Sequence, residues 1–133
     1  MKTKVLIGPS KFAALDSSPV DKLIDSGFEI VNNPFGRKFT VNELKNLLTG
    51  VTGLIAGLED LNREIMEGSD LKVISRCGSG LSNVDLEAAE SLGIKVFSTP
   101  DGPTTSVAEL TVGLLLSMIR LLYKMNTSLH HRK

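Results

Sequence analysis

The chain has 133 residues, 41% of them apolar and 23% charged, and its 15 basic residues balance its 15 acidic residues. This size and composition predict an ordinary globular protein in which one core is the default, and the balanced charge argues against a nucleic-acid partner or an anionic membrane surface. A single cysteine, Cys77, excludes an internal disulfide framework and a cysteine zinc cluster. Because the N-terminal apolar stretch is too short for a signal peptide, we expect a cytoplasmic protein.

Short β-rich apolar runs alternate with helical patterns along the first hundred residues, which is typical of βαβ units. Strands are predicted over 4–8, 29–32, 53–56, 71–75 and 94–98, and helices around 19–26, 41–48, 62–67 and 84–92. Each helical pattern is followed by a glycine, which is the residue best suited to end a helix. We therefore predict an α/β fold with a flavodoxin-like, doubly wound, parallel five-stranded sheet.

The last part of the chain predicts one long helix over 106–129. Ser106 and Glu109 have the spacing of a capping box, which marks a helix N-terminus. Apolar residues surround most of this helix, whereas a surface helix carries a single apolar stripe. We therefore expect a second domain or another subunit to cover it. Its apolar run is interrupted by polar residues and falls short of the roughly 20 residues that a membrane span needs.

The loop that follows the fourth predicted strand, RCGSG at 76–80, is the main candidate for a ligand site. Ligands of doubly wound sheets bind at the carboxyl ends of the strands. Arg76 offers paired donors to a carboxylate or phosphate, and the neighbouring glycines allow close approach of the backbone. The alternative is a structural arginine that pairs with an acid such as Asp85 or extends into solvent.

The same loop partly matches the dinucleotide-binding pattern G-x-G-x-x-G through Gly78 and Gly80. The third position is Asn83, which we predict to be the N-cap of the next helix. Asp101, near the place of the ribose-binding acid, lies in a loop beyond its strand. We therefore interpret the loop as a site for a small anion rather than for a dinucleotide.

Other polar residues near the strand ends have simpler explanations. Cys77 has no histidine at a motif-like distance, so we interpret it as a small apolar residue rather than a nucleophile. Glu59 and Asp60, after the third strand, could form an acidic pocket, but we interpret them as acids at a helix N-terminus. The sequence shows no evident general base.

Five motifs between residues 71 and 120 together form a specific pattern. They are Arg76-x-Gly78-x-Gly80, Asn83-Val84-Asp85-Leu86-x-Ala88-Ala89, Gly93-Ile94-x-Val96, Thr99-Pro100 and Ser106-Val107-Ala108-Glu109-Leu110. This pattern resembles the D-isomer-specific 2-hydroxyacid dehydrogenase family, and a looser similarity reaches the N-terminus through Asn33-Pro34-x-Gly36-Arg37.

The resemblance implies an NAD-dependent enzyme of two domains. Residues 1–100 would form the substrate-binding domain, and 101–133 the linker and long crossover helix that begin a Rossmann domain. Arg76 and the backbone of Cys77 and Gly78 would hold a small anionic 2-hydroxy or 2-keto acid, and Ser79 would contact the cofactor. The helix over 106–129 would form a homodimer.

The resemblance also places the G-x-G-x-x-G motif, the catalytic arginine and the Glu/His pair beyond Lys133, so we expect no catalytic residue in this chain and no hydride transfer by it alone. The arginine favours a phosphorylated substrate such as 3-phosphoglycerate, although 57–59 lacks a basic pair found in some enzymes of that kind. The alternatives are a reductase of glyoxylate, hydroxypyruvate or another 2-keto acid, and a standalone flavodoxin-like dimerising binding module.

Overall fold

Five short strands form one parallel sheet within the first of two compact units, Met1–Thr99. The computed structural model describes residues 3–130, so the outermost residues of both predicted domains lie outside the described residues. The strands are β1 (Lys4–Ile7), β2 (Glu29–Asn32), β3 (Gly53–Ala56), β4 (Val73–Arg76) and β5 (Lys95–Ser98). Their order, β2-β1-β3-β4-β5, is that of a flavodoxin-like fold and confirms the predicted fold class.

Four helices connect the strands: α1 (Ser18–Asp25), α2 (Val41–Leu47), α3 (Arg63–Glu67) and α4 (Leu86–Ser91). From β1 the chain crosses first to β2 at one side and then returns across the sheet through β3, β4 and β5. Because such crossovers are right-handed, α1 lies on one face of the sheet and the other three helices lie on the opposite face. This arrangement is the doubly wound one.

The core lies between the sheet and α2, α3 and α4. The central residues Leu6, Leu54 and Ile74 stand in register on neighbouring strands and are almost fully buried. They pack in one cluster with apolar side chains of the helices and connecting loops: Leu44, Leu48, Ile65, Met66, Ala88 and Ala89. All members of this cluster come from the first unit.

The N-cap of α4 differs from the prediction. Asp85, not Asn83, is the N-cap, and its side chain accepts a hydrogen bond from the Ala88 amide at 2.9 Å. Asn83 lies just before it and donates through Nδ2 to the carbonyl oxygens of Gly57 and Glu59 at 3.2 and 2.6 Å. Two candidate caps so close together look alike in sequence, and the long-range bonds of Asn83 decide between them.

The second unit, Pro100–Lys133, carries two helices where the sequence predicted one. α5 (Thr104–Ile119) and α6 (Leu122–His130) meet at a bend of 62°. The predicted capping box is also wrong, since α5 begins two residues before Ser106 and its N-cap, Pro103, makes no side-chain cap. Leu121 lies between α5 and α6 and has a left-handed φ of 51°, which residues other than glycine rarely adopt.

No single helix within residues 3–130 has both the length and the apolar character required to cross a membrane. The bent pair of α5 and α6 meets that requirement when its two helices are counted together.

Candidate functional site

Arg76 is the last residue of β4, and the candidate loop follows it. Arg76 is in register with Ala56 of β3 and Ser98 of β5. The Cys77 amide donates to the Ala56 carbonyl at 2.8 Å, which extends the pairing with β3 by one bond. On the other side, Gly78 donates to Thr99 Oγ1 at 2.8 Å and accepts from the Thr99 amide at 3.1 Å. The loop is therefore fixed by both neighbouring strands at the carboxyl edge of the sheet.

The Arg76 side chain folds back over its own loop. Its Nη1 donates to the carbonyl oxygen of Cys77, and a Cβ placed on Gly78 would lie 1.6 Å from the same nitrogen. Its Nε is buried and has no hydrogen-bond partner among the described residues. A buried donor without an acceptor costs about 1–3 kcal/mol, more if charged, so an anionic oxygen at this position would stabilise the loop.

The predicted structural partner of Arg76 is not found, since no ion pair joins it to Asp85 within residues 3–130. Asp85 instead caps α4. The predicted site residues Arg76, Cys77, Gly78 and Ser79 lie together because they are consecutive in the chain. The structure adds Thr99, which anchors the loop at Gly78 and was not predicted as a site residue. The Thr99-Pro100 motif was its only signal.

Backbone amides in the loop differ in their availability. Those of Cys77 and Gly78 already donate to Ala56 and Thr99. The amides of Ser79 and Gly80 have no acceptor within 3–130, and a Cβ placed on Gly80 would meet nothing within 4 Å. An anion held by the backbone would therefore find its free donors one or two residues later than predicted.

Glu59 is the one buried charged residue in the part of the chain that the structure describes, with 3% of its surface exposed. Its Oε2 accepts from the Gly57 amide, and a Cβ at Gly8 would lie 2.8 Å from its Oε1. It lies outside α3, whose N-cap is Asn62, so its interpretation as an acid at a helix N-terminus is wrong. Its carboxylate instead lies between the loops that follow β1 and β3, packed closely against Gly8, and nothing in the local sequence signals this burial.

Cys77 lies beside these charges and is half-buried. Burial raises the pKa of its thiol, the Arg76 guanidinium opposes that rise, and the Glu59 carboxylate adds to it. A thiol with a raised pKa is protonated at neutral pH and is a poor nucleophile. This agrees with the interpretation of Cys77 as a small, unreactive residue.

A cavity of about 230 Å³ opens at the same edge of the sheet, next to the carboxyl ends of β1 and β3. Lys11, Arg37 and Lys38 contribute basic side chains to its wall, and Glu59 contributes the buried carboxylate. Arg37 is held in place because both of its terminal nitrogens donate to Glu43, at 2.8 and 2.9 Å. The cavity therefore has a positive rim above a buried negative charge.

A larger cavity, about 500 Å³, lies elsewhere, against one face of β1, β3 and β4. Its walls are mainly apolar, with Lys72 as the one charged residue among the described residues that form them. Apart from this lysine and a few hydroxyl groups, those residues offer no side-chain donor to an anion. We place the candidate site at the carboxyl edge instead, because the fixed loop, the unpaired arginine nitrogen and the free amides meet there.

A parallel flavodoxin-like sheet with a candidate ligand loop at its carboxyl edge is typical of α/β proteins that bind small molecules. Within that class the chain belongs to the D-isomer specific 2-hydroxyacid dehydrogenase family, since the model of that family's catalytic domain matches residues 12–128. The members of this family are oxidoreductases, and the predicted family is confirmed.

Relatives of known name differ in the reaction that their names describe. The chain is 37% identical over 94 residues to a hydroxypyruvate reductase of Thermotoga maritima, covering 69% of this chain and 31% of that protein. It is 35% identical over 132 residues to a D-3-phosphoglycerate dehydrogenase of Sus scrofa, covering 98% of this chain and 24% of that protein. The chain thus spans about a quarter to a third of the length of these relatives.

Solved structures of other proteins share the fold of this chain. The TT0316 protein of Thermus thermophilus superimposes with a TM-score of 0.86 at 30% identity, over 98% of this chain and 41% of that one. A 3-phosphoglycerate dehydrogenase of Entamoeba histolytica, solved with bound NAD⁺, has a TM-score of 0.76 at 24% identity, over 88% and 39% of the two chains. NAD, the predicted cofactor, is the cofactor that the family uses.

Proposed function

We propose that this chain is the N-terminal, substrate-binding portion of an NAD-dependent D-2-hydroxyacid dehydrogenase. The observation that carries the proposal is the Arg76 guanidinium, folded over Gly78 with a buried Nε that lacks an acceptor among residues 3–130. Its place at the carboxyl end of β4 is where doubly wound sheets bind ligands. The predicted role of Arg76 in holding the substrate remains part of the proposal, whereas Cys77 and Gly78 would shape the loop beneath it, since both of their amides already donate to neighbouring strands.

The substrate that we propose is 3-phosphoglycerate, oxidised to 3-phosphohydroxypyruvate in serine biosynthesis. A phosphorylated acid carries two anionic groups, and the site offers two sets of donors for them. The Arg76 guanidinium, with its unpaired Nε, forms one set, and the basic rim made by Lys11 and Lys38 forms the other. Glyoxylate and hydroxypyruvate have a single anionic group and would leave one set unused.

The chemistry that NAD supplies when bound is the acceptance of a hydride from the carbon that bears the hydroxyl group. Ser79 and Gly80 fit an approaching cofactor, because their amides have no acceptor within the described chain and Gly80 leaves open space. In the whole enzyme, Arg76 and the loop would orient the substrate anion, and proton transfer would fall to residues outside this chain. We therefore expect no turnover by these 133 residues alone.

The remaining predictions on cell location and assembly belong to the same proposal. A single, half-buried cysteine fits the reducing cytoplasm. The apolar helices of the second unit fit self-association into a homodimer, without a nucleic-acid or membrane partner.

Binding experiments on the chain test the substrate assignment. Amide chemical shifts would be followed by NMR in phosphate-free buffer during separate titrations with 3-phosphoglycerate, hydroxypyruvate and glyoxylate. We expect shifts at 76–80 with all three acids, and shifts at Lys11 and Lys38 with 3-phosphoglycerate alone. Arg76→Ala should weaken binding about tenfold or more, since a hydrogen bond to a charged group contributes about 1.5–3 kcal/mol.

Arg63→Ala is the matched control, because Arg63 pairs with Glu67 on the exposed surface of α3. It should bind all three acids like the wild type. Equal affinity for the three acids, with no response at the basic rim, would contradict the phosphorylated substrate and favour a reductase of small 2-keto acids. Binding unaffected by Arg76→Ala would show that the arginine is structural.

A further inference from the structure

Glu59 is a buried carboxylate with an incomplete set of hydrogen-bond donors. Only 3% of its surface is exposed, and its Oε2 accepts from the Gly57 amide, while its Oε1 accepts from no donor among residues 3–130. No ion pair within the same residues includes it. Because burying an ionised carboxylate is costly unless donors surround it, a donor supplied by a ligand would stabilise Glu59.

The carboxylate is packed into the wall of a cavity. Glu59 lines the cavity of about 230 Å³ at the carboxyl edge of the sheet, together with Gly8 and Gly57. A Cβ at Gly8 would lie 2.8 Å from Oε1, and one at Gly57 would lie 3.4 Å from Oε2, so bare backbone from two loops packs against the carboxylate. The acceptor is therefore fixed in place beside a space that admits a small polar group.

Several other ionisable side chains surround Glu59. They are Lys11, Arg37, Lys38, Asp60, Arg76 and Cys77. Arg37 is already paired with Glu43, and the raised pKa of the Cys77 thiol keeps it protonated at neutral pH. Asp60 is exposed and lines a second cavity of about 290 Å³, which Glu59 also borders. These three residues therefore leave the charge of the first cavity to its lysines and Glu59.

This balance of charge favours an anion that brings its own proton. Lys11 and Lys38 have no ion-pair partner among the described residues, and they face one carboxylate. A cation would satisfy Glu59 but would be repelled by the lysines, and no cluster of three or more metal-ligating side chains occurs within 3–130. An anion without a proton would satisfy the lysines but would be repelled by the carboxylate. An anion with a hydroxyl group satisfies both, since the hydroxyl donates and the other oxygens accept.

We propose that Glu59 selects a singly protonated phosphate ester, whose hydroxyl donates to Glu59 Oε1 while its other oxygens accept from Lys11 and Lys38. The proposal rests on the proposed function and assigns the two anionic groups of 3-phosphoglycerate, with the phosphate at Glu59 and the carboxylate at Arg76. The reverse assignment does not fit, because an α-carboxyl group loses its proton at about pH 3.5, whereas a phosphate ester retains its second proton up to about pH 6.

Methyl phosphate and methyl sulfate test the selection, because they are close in size and shape but methyl sulfate has no proton to donate. NMR titrations in buffer free of phosphate and sulfate would follow the amides of Gly8, Lys11, Lys38 and Gly57. At pH 6 the wild type should bind methyl phosphate about tenfold or more tightly than methyl sulfate, since the extra hydrogen bond goes to a charged group.

The pH dependence should differ between the two anions. Between pH 6 and pH 8 the singly protonated fraction of a phosphate ester falls from about a half to about one in a hundred. The affinity of the wild type for methyl phosphate should therefore fall about tenfold or more over this range. Its affinity for methyl sulfate should stay constant, because that anion does not titrate there.

Glu59→Gln removes the charge and keeps a side chain of similar size. It should bind methyl sulfate more tightly than the wild type does, because the repulsion is gone and the amide can donate, and it should lose the preference for methyl phosphate at pH 6. Asp60→Asn is the matched control, since it removes a neighbouring carboxylate that is exposed and does not line this cavity. It should keep the wild-type preference and its pH dependence.

Three results would overturn the proposal. Two concern the wild type and hold whether or not Glu59→Gln folds: no response of the four amides to methyl phosphate, and equal affinity for the two anions at pH 6. The third is an unchanged preference in a folded Glu59→Gln variant. The proposed function fails on a different result, because it predicts a response of Lys11 and Lys38 to 3-phosphoglycerate whatever the preference between phosphate and sulfate.

Discussion

Gly78 is the loop residue whose replacement the geometry restricts most. Its φ of 137° lies in a region that only glycine adopts readily, and a Cβ there would lie 1.6 Å from Nη1 of Arg76. Gly78→Ala would therefore strain the backbone, at a cost of order 1–3 kcal/mol, and displace the guanidinium. We expect a lower melting temperature and a loss of anion affinity similar to that of Arg76→Ala.

Gly68→Ala is the matched control for this substitution. Gly68 ends α3 with an ordinary φ of −84°, and an added Cβ would meet its nearest atom at 3.6 Å. It should retain the melting temperature to within a few degrees and the affinity of the wild type. If Gly78→Ala behaved like this control in both thermal melts and titrations, the guanidinium would not be held over the loop.

The two most informative residues of the site differ in how well the sequence identifies them. Arg76 is an arginine at a strand end beside two glycines, and that local pattern was enough to select it. Glu59 was misassigned because its burial depends on the close approach of Gly8, which lies 51 residues earlier in the sequence. Long-range contacts of this kind leave no periodic or spacing signal.

At the scale of elements, α2 has the best-defined start. Thr40 and Glu43 form a capping box, and Glu43 also accepts from both terminal nitrogens of Arg37. These bonds lower the pKa of Glu43 to about 2, with the Arg37 bond as the largest cause. The ionised carboxylate therefore stabilises the fold above its ordinary pKa of 4.5, and this contribution is lost as the pH falls through about 2.

Glu43→Gln should accordingly reduce the free energy of unfolding at neutral pH, and the difference from the wild type should shrink between about pH 4.5 and pH 2. Urea denaturation at a series of pH values measures it. Glu90→Gln, on the exposed surface of α4, is the comparison and should show no such convergence. A Glu43→Gln effect of constant size down to pH 2 would contradict the assigned cause.

The elements themselves were largely predictable, and the errors have a common origin. All five strands and four connecting helices were predicted with each end within two residues, because each has a local pattern of alternation or a terminal glycine. The single helix over 106–129 was wrong, since Leu121 carries no sequence signal for a left-handed φ. Where a non-glycine residue breaks a helix, composition and periodicity continue unchanged across the break.

At the scale of the whole molecule, the two units contribute very unequally to burial. The core cluster and every strand pairing come from residues before Thr99. Neither α5 nor α6 has a buried residue among those described, although both carry many large apolar side chains. The first unit therefore has the buried apolar core that a cooperative fold requires. The second unit has the exposed apolar surface that is typical of an interface.

A chain truncated after Thr99 should therefore unfold cooperatively, at nearly the melting temperature of the whole chain under conditions where the latter is dissociated. It should also remain monomeric at concentrations where the whole chain associates, because the exposed apolar helices are gone. Circular dichroism melts and sedimentation velocity measure the two properties, with the whole chain, diluted until it is dissociated, as the full-length reference. If the truncated chain melts without cooperativity, the second unit contributes to the core. If the truncated chain still dimerises, the interface lies on the first unit. Cooperative melting of a monomer would assign folding to residues before Thr99 and association to those after it.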